Sequence, residues 1–167
     1  VESLSYMPGF AFGVAATTLI GQSLGAEDVP AAKARGRLTI STAVLVMSGI
    51  GVLLFLLAPQ LISMLTPDER VREIGASLIR ICALEQPFMA LSMVGASALR
   101  GAGDTRVPFF VSLVGMWGVR LTLAWLFVTR LGLGVQGAWY AMVADQAVRG
   151  TLMAARFFRG KWAYLRV

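Results

Sequence analysis

The sequence predicts an all-α integral membrane protein with about five transmembrane helices. Of its 167 residues, 57% are hydrophobic and only 14% are charged. The mean hydropathy of +0.72 lies outside the usual balance of soluble domains. Five mostly apolar stretches, each about 20 residues or longer, follow one another along the chain. Because a bilayer core about 30 Å thick needs about 20 helical residues, each stretch predicts one crossing.

The predicted spans are separated by short connections that hold most of the charge. They cover residues 3–26, 38–66, 74–99, 107–129 and 131–155. Such short connections make successive helices antiparallel neighbours. Residues 156–167 form a basic tail after the last span.

The distribution of lysine and arginine predicts the orientation in the membrane. One side holds Lys33, Arg35, Arg37, Arg100, Arg106 and the tail residues Arg156, Arg159, Lys161 and Arg166. The other side holds Arg70, Arg72 and Arg130. Since cytoplasmic loops retain an excess of these residues, the C-terminus is predicted to be cytoplasmic. Trp162 and Tyr164, just beyond the last span, are predicted to lie at the membrane interface.

Small residues recur at every fourth position of the first span. They are Gly9, Gly13, Thr17, Gly21 and Gly25. Lipid tails supply no hydrophobic drive for helix association, so a ridge of small residues favours close helix packing. The alternative is the general enrichment of glycine in membrane helices.

Five charged residues lie inside the predicted spans. They are Arg80, Glu85, Arg120, Asp145 and Arg149. A charge at the bilayer centre costs about 2.5 to 3.5 kcal/mol on insertion scales, so such residues usually face the bundle interior or a wet cavity. Asp145 and Arg149 are four residues apart, which predicts a structural ion pair along one helical face.

Glu85 is the sharpest functional candidate among these charges. It lies at middle depth, two residues before Pro87, with Gln86 and Met89 beside it on the predicted helix. A carboxyl in this position can take up and release a proton during a conformational cycle. The alternative is a structural carboxylate held by an arginine, either Arg80 or Arg120.

Several other classes of function are excluded by composition. The chain has no histidine, and its single cysteine, Cys82, lies inside an apolar span, so neither a disulfide framework nor a Cys/His metal site is expected. The sequence shows no nucleophile with a partnered base, so it gives no indication of an enzyme. The net charge of +6 comes from basic residues in the connections between spans and in the tail. This distribution suits contact with anionic lipid better than with nucleic acid. The G-x-G-x-x-G match at residues 132–137 joins two spans and predicts a turn.

Three segments together resemble the C-terminal lobe of the multidrug and toxic compound extrusion (MATE) family, bacterial type. They are GQSLGA at residues 21–26, ALRGAGDT at residues 98–105 and GVQGAW at residues 134–139. The second segment contains the predicted cytoplasmic turn, with Arg100, Gly101, Gly103, Asp104 and Thr105. Asp104 or Thr105 is predicted to cap the next helix.

The resemblance implies twelve helices in two six-helix lobes around a central cavity. The chain would supply the last five helices, as a fragment, and its opening at Val1 without an initiator methionine agrees with this. The implied function is export of organic, often cationic, compounds across the cell membrane in exchange for protons or sodium ions. The implied partners are small-molecule substrates, the lipid bilayer and the missing N-terminal lobe of the same chain, with no cofactor besides the coupling ion and no nucleic acid.

The resemblance also places a coupling carboxylate in the third span. Glu85 lies in that span, whereas Met89 occupies the position at which sodium-coupled relatives carry an aspartate, which leaves proton coupling by Glu85 open. Glu2 is a second candidate. The expected intramembrane polar network comprises Arg80, Gln86, Met89, Arg120, Asp145 and Arg149. The alternatives are a flippase for lipid-linked sugars or other amphiphiles of the same superfamily and a non-transporting membrane scaffold.

Overall fold

The chain folds into long helices joined by short turns. The computed structural model describes residues 2–164, and the side chains of residues 5–163. The helices are α1 (Glu2–Gly25), α2 (Val29–Ser63), α3 (Glu69–Gly101), α4 (Arg106–Arg130) and α5 (Gly134–Phe158). A short 3-10 turn, Lys161–Tyr164, follows α5. The predicted all-helical class with five helices is confirmed.

Side-chain caps explain why α2 and α3 begin before the predicted spans. Asp28 accepts a hydrogen bond from the backbone N–H of Ala31, at 2.8 Å. Asp68 caps α3 in the same way, through the N–H of Arg70 at 2.9 Å. These caps satisfy free N–H groups of the first turn, so each helix starts in a polar segment ahead of its apolar stretch.

Three helices of the described part are long and apolar enough to cross a membrane: α2, α3 and α4. Helix α5 is also long, but it carries Asp145, Arg149 and Arg156 within its length. Large apolar side chains on the outside of the bundle are widely exposed, among them Phe10, Leu45, Leu53, Trp117 and Trp125. Such a surface suits lipid rather than water.

Helix α3 lies at the centre and packs against α1, α2 and α5, while α4 packs mainly on α5. The shared core is built largely from alanine and medium-sized apolar residues. Its larger members are Ile20, Ile40, Met47, Val94, Leu99, Met153, Phe157 and Trp162. Small residues allow these helices to pack closely where no hydrophobic drive is available.

Helix α3 continues through Pro87, and α2 packs on the turn before it. Proline has no N–H to donate to the carbonyl one turn earlier, which is that of Ala83. The Cβ that an alanine would add at Gly51 of α2 would lie 2.7 Å from this carbonyl oxygen. The glycine therefore lets α2 cover the backbone of α3 directly at the proline.

Two features depart from the sequence expectations. Helix α4 contains two π-helical segments, Gly115–Arg120 and Leu126–Arg130, in place of a regular α-helix. Trp162 is 1% exposed, stacks on Phe157 with ring centroids 5.0 Å apart, and donates a hydrogen bond to the Phe157 carbonyl at 2.8 Å. Trp162 therefore packs into the core instead of facing a membrane interface, contrary to the prediction.

Candidate functional site

Glu85 lies midway along the central helix α3 and is 3% exposed. Steps of four, three and four residues lead from Glu85 to Met89, Ser92 and Ala96. Residues at such steps share one face of an α-helix. Glu85 therefore lies on the same side of α3 as those three residues, roughly 6 Å along the axis from Met89.

This face of α3 lines a polar cavity of about 210 Å³ between α1, α3, α4 and α5. The lining includes Met89, Ser92 and Met93 of α3, with Arg100 at its end. The other helices contribute Tyr6, Ser112, Gln146, Arg149 and Met153. Glu85 thus lies about one helical turn beyond the Met89 end of the cavity, in the middle of the bundle.

Hydrogen bonds between α3 and α5 fix the wall of this cavity. The Ser92 hydroxyl donates to Gln146 Oε1 at 2.8 Å. Further along the same two helices, Gln136 Nε2 donates to the Ser77 hydroxyl at 3.0 Å. Lipid offers these polar side chains no hydrogen-bond partners. The two bonds therefore stabilise the contact between α3 and α5 and fix their alignment.

The predicted pair of Asp145 and Arg149 forms in the structure. The distance from Arg149 Nη2 to Asp145 Oδ2 is 2.7 Å, and the aspartate side chain is fully buried. Gly115 of α4 covers the pair, since a Cβ there would lie 2.6 Å from the Arg149 stem and 2.7 Å from Asp145 Oδ1. Within the described residues, Asp145 Oδ1 and Arg149 Nε have no hydrogen-bond partner.

Other members of the expected polar network lie elsewhere. Arg80 is exposed, with its guanidinium 5.7 Å from the Phe55 ring centroid on the outside of the α2–α3 pair. Gln86 packs toward Gly51 of α2. Arg120 is half-buried and lines a second pocket, between α4 and α5. The candidate Glu2 belongs to α1, but its side chain lies outside the described residues.

The small residues of α1 meet α3 along part of their length. A Cβ at Gly13 would lie 2.9 Å from the Ser97 hydroxyl, and the Thr17 hydroxyl donates to the Ser97 carbonyl at 3.0 Å. Gly9 packs against the sulfur atoms of methionines from α2 and α3, and a Cβ at Gly21 would lie 3.6 Å from the Gly101 carbonyl oxygen. A Cβ at Gly25 would meet nothing within 4 Å.

The turn between α3 and α4 is tied to the end of α5. Gly103 has a φ of +82°, which glycine adopts without strain. Asp104 is 4% exposed, and Arg156 Nη2 lies 2.8 Å from its Oδ2. Asp104 Oδ1 also accepts from the N–H of Val107 at 3.4 Å, whereas Thr105 makes no side-chain cap.

The sequence interpretation overlooked several residues that line the cavity. Ser92 follows Met89 by three residues and Gln146 precedes Arg149 by three, so helical spacing could have indicated both. Tyr6 and Ser112 come from helices far away in sequence, and no local pattern marks them. Among the described residues, no group of three carboxylate or cysteine side chains is placed to hold a metal ion.

Known proteins resemble this chain in both sequence and structure. A "Probable multidrug resistance protein NorM" of Thermotoga maritima is 36% identical over 162 residues, covering 97% of this chain and 35% of its own. A "Multidrug resistance protein NorM" of Burkholderia vietnamiensis is 33% identical and also matched over 35% of its length. The chain thus spans about a third of the length of these curated relatives.

Solved transporters share the helix arrangement. The eukaryotic MATE transporter AtDTX14 superposes on 97% of this chain with a TM-score of 0.87 and 21% identity. An inward-facing MATE family transporter of the MOP superfamily covers 93% with a TM-score of 0.84. In each case the match takes up 36% of the solved chain. The sequence model of the MatE family matches residues 1–126. The chain therefore belongs to the MatE family, the multidrug and toxic compound extrusion transporters.

Proposed function

We propose that this chain is part of a secondary active antiporter that exports organic, often cationic, compounds in exchange for protons or sodium ions. Family membership and the names of the NorM relatives support the export of drugs or toxins. The sequence resemblance favours the C-terminal lobe as the place of this chain. A cavity shared between lobes then requires the rest of the transporter.

Glu85 is proposed as the coupling residue, and its burial at the centre of α3 is the observation that carries the proposal. A carboxyl that is 3% exposed in the central helix of the bundle is costly to keep charged, so its protonation state depends on the surrounding conformation. Glu85 lies one turn beyond the cavity, so a conformational change in the cavity lining can alter the surroundings of its carboxyl. Met89, at the place of the aspartate in sodium-coupled relatives, favours a proton over sodium.

The test is transport by the complete gene product in efflux-deficient bacteria. Glu85→Gln keeps the shape of the side chain but removes its titration, so we expect dye extrusion to fall by about tenfold and to lose its dependence on external pH. Glu73→Gln is the matched control, because Glu73 is an exposed carboxylate of the same helix. It should extrude dye like the wild type.

Two results would contradict the proposal in different ways. Full, pH-dependent extrusion by Glu85→Gln would remove Glu85 as the coupling residue while leaving export in place. A complete wild-type gene that extrudes no cationic dye would remove the export of such compounds itself.

A second candidate function is a flippase for amphiphiles such as lipid-linked sugars. The observation in its favour is the presence of two arginines, Arg149 and Arg120, along the pockets between α4 and α5. Transfer of a fluorescent phospholipid across the membrane of reconstituted vesicles, without dye extrusion, would support this function over drug export.

A further inference from the structure

The pocket that contains Arg120 continues the polar cavity along the contact between α4 and α5. On α4, Ser112 lines the cavity, and Met116 and Arg120 follow at steps of four in the second pocket. On α5, Arg149 and Gln146 line the cavity, and Met142 and Trp139 line the second pocket. Residues at these steps lie on one side of each helix, so the two pockets follow each other along the α4–α5 contact.

Hydrogen-bond donors dominate the polar lining of the cavity. Arg100, Arg149 and Ser112 carry N–H or O–H groups, whereas the one hydroxyl hydrogen of Ser92 is donated to Gln146. Gln146 uses its Oε1 to accept from Ser92, which leaves the two hydrogens of its amide nitrogen for another acceptor. None of the described lining residues carries a carboxylate.

Arg149 is the group best prepared to hold a ligand. Asp145 engages one terminal nitrogen of its guanidinium, and Nε has no partner within the described part of the chain. The side chain is 20% exposed, with the cavity beside it. A guanidinium has five N–H groups in a planar fork that matches the oxygens of phosphate. Arg149 therefore keeps donors available while Asp145 fixes its position.

The size and position of the cavity limit what can bind there. A volume of about 210 Å³ is below the range of about 300 to 1,000 Å³ that drug-sized ligands occupy. A single phosphate group fits this space. Arg100 at the last turn of α3 places one end of the cavity close to the end of the bundle, where lipid phosphates lie if that end meets the bilayer surface.

We propose that the cavity around Arg149, Gln146, Ser92 and Ser112 is a binding site for a phosphate oxyanion, supplied either by a lipid head group or by free phosphate. Arg149 and the Gln146 amide bind the oxygens inside, and Arg100 attracts the anion at the rim. The site goes beyond the proposed export of cations, and its occupancy is measured without any transport.

The test measures binding to the purified complete gene product in uncharged detergent by native mass spectrometry. One arm adds dioleoyl phosphatidic acid, a second adds dioleoylglycerol, which has the same acyl chains without phosphate, and a third adds inorganic phosphate. Two variants disturb the site. D145N/R149Q removes the guanidinium without leaving an unpaired buried carboxylate, and Q146E places a negative charge in the lining while keeping the acceptor for Ser92.

We expect both variants to weaken binding of phosphatidic acid by about tenfold or more, since charge-assisted hydrogen bonds are lost or opposed. Arg80→Gln removes an exposed arginine far from the cavity and should bind like the wild type. Binding of phosphatidic acid alone identifies a lipid head group as the source, and binding of inorganic phosphate as well identifies a site open to free anions.

Three outcomes would overturn the site. They are equal binding of dioleoylglycerol and phosphatidic acid, undiminished binding by Q146E, and an equal loss in Arg80→Gln, which would indicate attraction to the basic surface as a whole. Q146E leaves the ion pair intact, so it decides the question even if D145N/R149Q fails to fold.

Discussion

At the scale of single residues, glycines set how closely the helices approach. Gly101 at the end of α3 lies against α1, where a Cβ would be 2.7 Å from both the Cα and the carbonyl oxygen of Thr17. These are backbone atoms, so they cannot rotate away as a side chain could. Association of helices in lipid depends on such packing, because the apolar solvent offers no hydrophobic gain.

We expect Gly101→Ala to destabilise the chain by roughly 1 to 3 kcal/mol, because α1 and α3 must separate to admit the methyl group. Thermal unfolding in detergent, followed by circular dichroism, measures the change. Gly25→Ala is the control, since a Cβ at Gly25 meets nothing within 4 Å. Equal melting temperatures for the two variants would contradict the close packing of α1 on α3.

The ion pairs show which side-chain contacts the sequence could predict. Asp145 and Arg149 are four residues apart on one helix, so their pairing follows from helical geometry. Asp104 and Arg156 are 52 residues apart and meet only because α5 ends beside the α3–α4 turn. An ionisable residue inside an apolar stretch makes Glu85 a candidate from sequence alone, but the cavity next to it is built by four helices.

At the scale of elements, α4 is the helix most loosely attached to the bundle. Its apolar residues are largely exposed, and Pro108 and Gly115 are the residues of Arg106–Arg130 that become buried. The first π-helical segment begins at Gly115, where α4 covers Asp145 and Arg149. π-helical turns, which hold an extra residue compared with an α-helical turn, often occur at functional sites. Apolar content predicts a helix here but does not distinguish π-helical turns from α-helical ones.

Helix α4 offers a matched pair of glycines to test that contact. Gly115→Ala places a methyl group within 2.7 Å of the Asp145 carboxylate, so we expect α4 to move away from α5 and its amide hydrogens to exchange faster. Gly118→Ala lies in the same π-helical segment, yet its Cβ would meet only Val114 of the same helix, at 3.7 Å. Hydrogen exchange with mass spectrometry compares the two. Identical exchange in α4 would show that Gly115 does not hold α4 on α5.

At the scale of the whole molecule, the basic segments meet at one end of the bundle. The guanidinium of Arg37, in the first turns of α2, lies 6.0 Å from the Phe158 ring centroid at the end of α5. Arg156 joins the same end to Asp104 in the α3–α4 turn. Loops far apart in sequence therefore present their positive charge together. The rule of loop charge predicts that this end lies in the cytoplasm.

Cysteine labelling tests this orientation directly, because Cys82 is the only cysteine in the sequence and is 8% exposed. In a background of the complete gene product in which Cys82 and every cysteine outside these residues are replaced by alanine, Pro67→Cys and Arg159→Cys place single thiols at exposed positions of opposite ends. A maleimide that cannot cross membranes should label Pro67→Cys in intact cells, and Arg159→Cys only after the cells are permeabilised. The cysteine-free protein is the blank. The reverse pattern would invert the bundle, and the cavity rim at Arg100 would then face the cell exterior rather than the anionic cytoplasmic leaflet.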